Sequence, residues 1–430
     1  MIGLAVLGMA MLQAEAGQAD AVPDPQPVAA DRASNRPRRS IPTVAQPEFE
    51  VPSTPGEDDD PVRVQGSYNL DANAAITKSG GGPGGAAVLG KASVVVDADL
   101  GRLIGLNGVI AHASAITIHG TGLSSTYIGN ISQVSSIEAE PATRLNQAWI
   151  EMPVGPIRLR IGKFPATPTF VTSDTAAFFV NTTFGWPTSF GSDLPDGGPA
   201  WPLSAPGVMA SSSADAPVRL SAAVFAGRPS GQYGPDPQRS DGHGFRAFAL
   251  RGQPFAIAEV AVKAGPAVFK LGGWRHFDRF AQVEEADLFP GVTYRGNWAG
   301  YGVVDIRLTP EGQEVGRLSA FARATVSPAD RNLVPFYLDG GLVLTGPSAS
   351  RPHDAIGLGW THVAITRTLA SAPPPRSEDV IELGYLFQWT SAFSLHPNVQ
   401  LVVNPATSEA QAGRRTPSVI APGLRATIIF

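Results

Sequence analysis

The sequence has 430 residues, a formal net charge of −5 and charged side chains at only 16% of positions, where soluble globular proteins usually have ~25%. It contains no Cys, which excludes a disulfide framework, thiolate metal sites and a cysteine nucleophile. Its 47 Gly and 39 Pro residues favour frequent turns over long helices.

The amino-terminal 62 residues have the composition of an export signal followed by a tail. An apolar run over 2–12 and the small-x-small site Ala14-Glu15-Ala16 predict a signal peptide over 1–16. The run lacks a preceding positive charge, so a short buried helix or an internal start is the alternative. Residues 17–62 are rich in Pro and Asp without apolar periodicity, which predicts a disordered periplasmic tail.

The remaining domain, 63–430, is almost neutral. The tail carries four Arg against six Asp and three Glu, and Glu15 adds one negative charge, so 63–430 carries a net charge of +1. A surface this close to neutrality is not expected to bind a highly charged partner such as nucleic acid.

Short alternating segments separated by turn signals fill this domain, and no amphipathic helical pattern interrupts them. The segments predict sixteen strands: 64–76, 88–99, 106–119, 135–151, 157–163, 217–228, 243–251, 254–263, 267–275, 297–308, 315–327, 334–345, 354–366, 378–390, 393–404 and 418–430.

Many of these strands have one apolar and one polar face. In 315–327, apolar residues occupy every second position, and Arg317 and Arg323 share the other face, on which Phe321 is an exception. The same period-2 pattern recurs in 157–163. A soluble sandwich would show it too, so alternation alone does not place the apolar face against lipid.

The connections between the strands favour a membrane barrel. Those after predicted strands 2, 4, 8 and 14 are short, and those after strands 3, 5, 9, 13 and 15 are longer. Outer-membrane barrels alternate in this way between periplasmic turns and external loops. The segment between predicted strands 6 and 7 breaks the alternation. The longest connection, 164–216, is rich in Phe and Trp, so it is predicted to fold inward and constrict the channel.

The sequence ends on an alternating strand whose last residue is Phe430. With no water at the sheet edge, this strand must pair with the first one. Its apolar face would then meet lipid, while Arg425 and Thr427 would point into the lumen. By analogy, a terminal Phe resembles the carboxy-terminal signal that the barrel assembly machinery reads.

Three stretches resemble the carbohydrate-selective porin family of the OprB type. They are the hairpin over 144–164, the "FFVNTTFGWPTSFGSDLPDGGPAWPLSAPGVM" segment over 178–209, and the hairpin over 378–406. An aromatic–acidic pair of the family is represented here by Trp149 and Glu151. The resemblance implies an outer-membrane channel of about sixteen strands through which sugars diffuse into the periplasm.

Solute contacts in such a lumen would come from Arg forks, carboxylates and aromatic rings, which suit the hydroxyls and the C–H face of small neutral sugars. The alternative role for any single lumen Arg or Glu is an ion pair with another lumen residue that stabilises the barrel wall. The predicted contact residues are Trp149, Glu151, Arg158, Arg160, Phe184, Trp186, Asp193, Asp196, Trp201, Glu259, Trp274, Arg317, Arg323 and Glu382.

No catalytic, metal or cofactor site is predicted. The seven His residues lack metal-ligand spacing, and neither a Gly-x-Ser-x-Gly elbow nor a Walker-type loop is present. The remaining alternatives are a general or ion-selective porin, a barrel enzyme and a secreted β-sandwich that binds carbohydrate. With five Lys in the chain, a phosphate channel is disfavoured.

Overall fold

Sixteen antiparallel strands form one closed barrel, within the part of the chain that the structure describes. The structure is a computed structural model and describes residues 60–77, 84–213, 216–230, 236–239, 241, 244–313, 315–370, 377–406 and 417–430. The predicted fold class is confirmed. The predicted signal peptide and nearly all of the predicted tail lie outside the described residues.

Each strand pairs with its neighbours in sequence, and the first strand also pairs with the last. The strands are β1 Val62–Thr77, β2 Gly85–Asp99, β3 Ile110–Gly120, β4 Ala142–Val154, β5 Ile157–Phe164, β6 Ala205–Ser212, β7 Val218–Phe225, β8 Phe255–Ala264, β9 Ala267–Ala281, β10 Thr293–Arg307, β11 Arg317–Val326, β12 Phe336–Thr345, β13 Ala355–Ala364, β14 Glu378–Thr390, β15 Phe393–Val403 and β16 Val419–Ile429.

In the described part of the chain, helix is confined to short segments in the connections. They are the α-helices α1 Leu100–Ile104 and α2 Thr188–Asp193, a π-helical turn Ser124–Ile128, and 3-10 turns at Ala176–Phe178, Thr182–Phe184, Pro195–Gly197, Gly244–Phe248 and Ala329–Arg331. No helix among the described residues is long and apolar enough to cross a membrane.

The predicted strand count is correct, but one strand is misplaced. Residues 243–251 include a 3-10 turn in place of the predicted strand, and β6 lies inside the predicted loop 164–216. Phe245, Arg246 and Ala247 give an apolar–polar–apolar pattern like that of a strand, yet Phe245 is 99% exposed. β6 begins with Ala-Pro-Gly and contains mostly small residues, so its apolar alternation is weak.

With β6 in place, the connections alternate between two ends of the barrel. One end, here called the turn end, carries the two-residue turns 155–156, 265–266 and 391–392. The other, the loop end, carries the longest connections, 121–141, 165–204 and 226–254. The predicted break in the alternation disappears because it falls within 226–254.

The barrel closes as the terminal strand predicts. Leu424 and Ile428 of β16 are 42% and 45% exposed on the outer face, while Arg425 is buried inside. The Arg425 guanidinium donates from Nε to Asp71 Oδ1 and from Nη2 to Asp71 Oδ2, both at 2.8 Å. A paired charge therefore joins β16 to β1 on the lumen side, and apolar residues cover the outside.

Candidate functional site

The connection 165–204 folds into the barrel and packs against its inner wall. Its aromatic side chains pack against inward-facing rings of the wall, because an aromatic-rich segment gains free energy by leaving water. The largest buried cluster includes Phe164, Phe170, Trp186, Phe190, Phe225, Phe255, Trp274 and Tyr301. The predicted inward-folded constriction loop is therefore present.

Carboxylates of the wall hold this loop by its main chain. Glu382 is fully buried and accepts hydrogen bonds from the backbone N–H groups of Val180 and Asn181, at 2.7 and 2.9 Å. Glu259 accepts from the Val171 N–H at 2.9 Å. Buried carboxylates need such donors to offset their desolvation, so these two act as loop anchors.

Arg323 is the cationic counterpart of these anchors. Its side chain is fully buried and forms a bidentate ion pair with Asp339 of β12. The same guanidinium donates to the loop carbonyls of Val171 and Thr183, at 3.1 and 3.0 Å. Its donors are thus shared between the wall and the loop.

Three further predicted contact residues lie where the loop packs against the barrel wall. Asp193 accepts from the Val334 N–H at 3.0 Å, and burial raises the pKa of its carboxyl well above the ordinary value. Phe184 is 1% exposed within an aromatic cluster. Trp274 packs edge-on against Phe190, with ring centroids 5.9 Å apart.

Six predicted contact residues with anchoring contacts are at most 6% exposed, so little of their surface faces the lumen. They are Phe184, Asp193, Glu259, Trp274, Arg323 and Glu382. Arg317 lies away from the constriction. It is the exposed first residue of β11, at the turn-end rim.

A second inward segment, 121–141, has no counterpart in the sequence predictions. Glu378 of β14 accepts from the N–H groups of Ile131 and Ser132, at 3.1 and 2.7 Å. Ser135 donates to Asp71 at 2.6 Å. The prediction extended β4 back to residue 135. The Ser- and Thr-rich composition of 121–141 gives little apolar signal, but a connection of this length is itself an indication.

A ladder of charges remains partly open to solvent at the wall of β4 and β5. Glu151 accepts from Arg158 Nε at 2.6 Å and from Arg160 Nη2 at 2.7 Å. The exposed fractions of the side chains are 14% for Glu151, 36% for Arg158 and 13% for Arg160. The strands bring the three together because Glu151 lies opposite Arg160 in the β4–β5 register.

Trp149 packs beside this ladder and is itself only 4% exposed. The Arg160 guanidinium lies 4.0 Å from the centre of the Trp149 ring, and His112 stacks on the ring at a centroid distance of 4.7 Å. The indole Nε1 donates to Gln147 at 3.0 Å. The ring orientation is therefore fixed from three sides.

A cavity of about 360 Å³ contains the other three predicted residues in its lining: Trp186, Asp196 and Trp201. Asp196 also pairs with Arg228 at 3.2 Å, and Lys91 Nζ lies 4.8 Å from the centre of the Trp201 ring. The structure thus separates the predicted contacts into a charged ladder, a cavity and a set of anchors.

Solved porin structures share this fold. Pseudomonas putida OprB at high pH matches with a TM-score of 0.73 and 19% identity, covering 86% of this chain and 94% of that one. Its low-pH structure matches with a TM-score of 0.52 and 15% identity, covering 86% and 92%. Salmonella typhi OmpF in complex with daunomycin matches with a TM-score of 0.53 and 8% identity, covering 86% and 97%.

No curated protein sequence matches this chain. The family model for the carbohydrate-selective porin, OprB family, matches residues 84–430, which is most of the sequence and nearly all of the barrel. The chain therefore belongs to the carbohydrate-selective porin family, and it is a bacterial outer-membrane channel for carbohydrates.

Proposed function

We propose that the channel passes mono- and small oligosaccharides, and that the ladder of Glu151, Arg158 and Arg160 contacts them as they cross the lumen. The observation that supports this proposal is the partial exposure of the ladder. The anchoring ion pair of Arg323 and Asp339, in contrast, is completely buried.

The chemistry of the ladder suits neutral polyols. Guanidinium and carboxylate groups can bond to neighbouring sugar hydroxyls. Glu151 pairs with both Arg158 and Arg160, so the one excess positive charge is spread over two guanidinium groups, which favours weak contacts over tight binding of an ion. Weak and repeated contacts of this kind also let the solute leave.

Arg160→Gln should reduce hexose flux at low sugar concentration by roughly tenfold, because a hydrogen bond from a charged group contributes ~1.5 kcal/mol or more. Liposome swelling with sugars of graded size measures this effect. Lys263→Gln is the matched control, since Lys263 lies at the turn-end rim of β8. Hexose flux in Arg160→Gln equal to that of the unmodified channel would contradict the proposal, as would strong ion selectivity in bilayer reversal potentials.

We further propose that Phe430 is the signal that the barrel assembly machinery recognises. Its backbone N–H donates to the Gly66 carbonyl at 3.0 Å, and its own carbonyl accepts from the Gly66 N–H at 2.7 Å. The side chain is 76% exposed. The main chain thus closes the barrel, while the ring remains accessible.

Phe430→Ala should therefore lower the amount of folded protein in the outer membrane, and Phe430→Tyr should preserve it. Heat-modifiable gel mobility of membrane fractions measures the folded amount. Refolding of the purified Phe430→Ala chain in detergent is expected to remain unchanged. Normal membrane levels of Phe430→Ala would refute the recognition role.

A further inference from the structure

The cavity of about 360 Å³ is built from three loop-end connections. Every lining residue belongs to 121–141, 165–204 or 226–254, and the ladder residues are not among them. The ladder lies toward the opposite end, because Arg158 and Glu151 flank the two-residue turn 155–156. The cavity is therefore a separate compartment on the loop-end side of the ladder.

The lining combines two indole rings with neutral polar groups. Trp186 and Trp201 contribute the rings, and Gln133 is among the polar side chains. Asp196 and Glu138 are the acidic members, and no Lys or Arg lines the cavity within the described residues. Pockets for small molecules typically have volumes of ~300–1,000 Å³, largely apolar walls and a few polar groups. This lining fits a neutral ring with many hydroxyls better than an anion.

Three lining residues have a buried polar atom without a protein hydrogen-bond partner among the described residues: Asn130 Oδ1, Ser136 Oγ and Trp201 Nε1. The first two residues are 7% and 2% exposed. An unsatisfied buried donor or acceptor is costly. Each of these atoms has under 1 Å² of accessible surface, so a ligand in the cavity would contact the exposed lining groups rather than these atoms.

We propose that this cavity is a binding site for one hexopyranose, which occupies it on the loop-end side before reaching the ladder. The inference rests on the proposed function, since it assumes that sugars cross the constriction. It adds a second site with its own residues, and it makes flux saturable at low sugar concentration. Because the lining side chains are held in place by loop packing, binding requires little reordering.

Gly191 offers a way to fill the cavity without breaking an anchor. Gly191 lies in α2, and a Cβ added there would come no closer than 3.9 Å to another atom, Trp186 Cδ1. Gly191→Leu therefore places a side chain beside the ring of Trp186. Gly302 of β10 is the matched control, because a Cβ there is also unhindered and both sequence neighbours are buried on the lumen side.

Tryptophan fluorescence of the purified barrel, titrated with D-glucose, tests the proposal. We expect saturable quenching in the unmodified protein and in Gly302→Leu. Gly191→Leu should raise the apparent Kd at least tenfold. The acyclic hexitol sorbitol, which lacks a ring face, should bind at least tenfold more weakly than D-glucose.

Unchanged D-glucose binding in Gly191→Leu, or loss of binding in Gly302→Leu, would overturn the cavity site. Equal binding of sorbitol would overturn the assignment to a pyranose. Absence of saturable quenching in a barrel that still passes D-glucose into liposomes would refute the cavity and leave the channel function intact. A barrel that passes no sugar at all would refute the proposed function and the cavity site together.

Discussion

Arg323→Leu is expected to detach the inward loop, lowering the free energy of unfolding by ~3–5 kcal/mol because removal of one partner leaves the other charge buried and unpaired. Asp339 is that partner, and both side chains are fully buried. The loop carbonyls of Val171 and Thr183 lose their donor as well. The variant should show a lower temperature of gel-mobility unfolding and a higher single-channel conductance.

Arg317→Leu is the control for this experiment, because the same change is made on the same strand at an exposed rim position. It should leave both measurements unchanged. The double variant Arg323→Leu/Asp339→Leu should recover part of the lost stability, since two apolar side chains replace a buried ion pair without an orphan charge. An Arg323→Leu barrel as heat-resistant as the unmodified protein would show that the ion pair is not an anchor.

Replacement of residues 186–201 by a short Gly-Ser linker should raise conductance by roughly two- to threefold and relax the size limit, because an unplugged sixteen-strand barrel is a wide aqueous channel. This segment contains α2 and Phe190, whose fully buried ring contacts Trp274 and Tyr301 of the wall. Planar-bilayer recordings and liposome swelling with oligosaccharides of increasing length measure the two effects.

The control is the same linker in place of residues 287–290, a mostly apolar, exposed stretch of the β9–β10 connection. It should not alter conductance, since those residues lie outside the lumen packing. Unchanged conductance after replacement of 186–201 would mean that this part of the loop does not constrict the channel.

The barrel could be predicted from the sequence because apolar and polar residues alternate with a period of two along most strands, which identifies the two faces of each strand. Even the exception in β11 follows this rule: Phe321 lies on the lumen face because the rings of Phe179 and Phe184 in the loop pack against it, with centroids 6.0 Å away. β6 was missed because Pro206, Gly207 and small residues weaken the alternation.

The candidate site was less accessible to sequence reasoning. Alternation indicates that Glu382 and Arg323 face inward, but it does not indicate what stands opposite them. For both, the neighbour is loop backbone some 140–200 residues away in sequence. The ladder was easier to predict, because a two-residue turn brings Glu151 and Arg160 into register.

The wall carboxylates hold the inward segments through backbone N–H groups and not through side chains, which limits the constraint that they place on the sequence of those segments. Glu382, Glu259 and Glu378 hold amide hydrogens, which every amino acid except proline possesses. These hydrogen bonds therefore exclude only proline at those positions, while the buried side chains of Val171, Val180 and Asn181 remain fixed by packing. Loop residues away from these positions can change with the transported sugar while the wall that holds the loop stays the same.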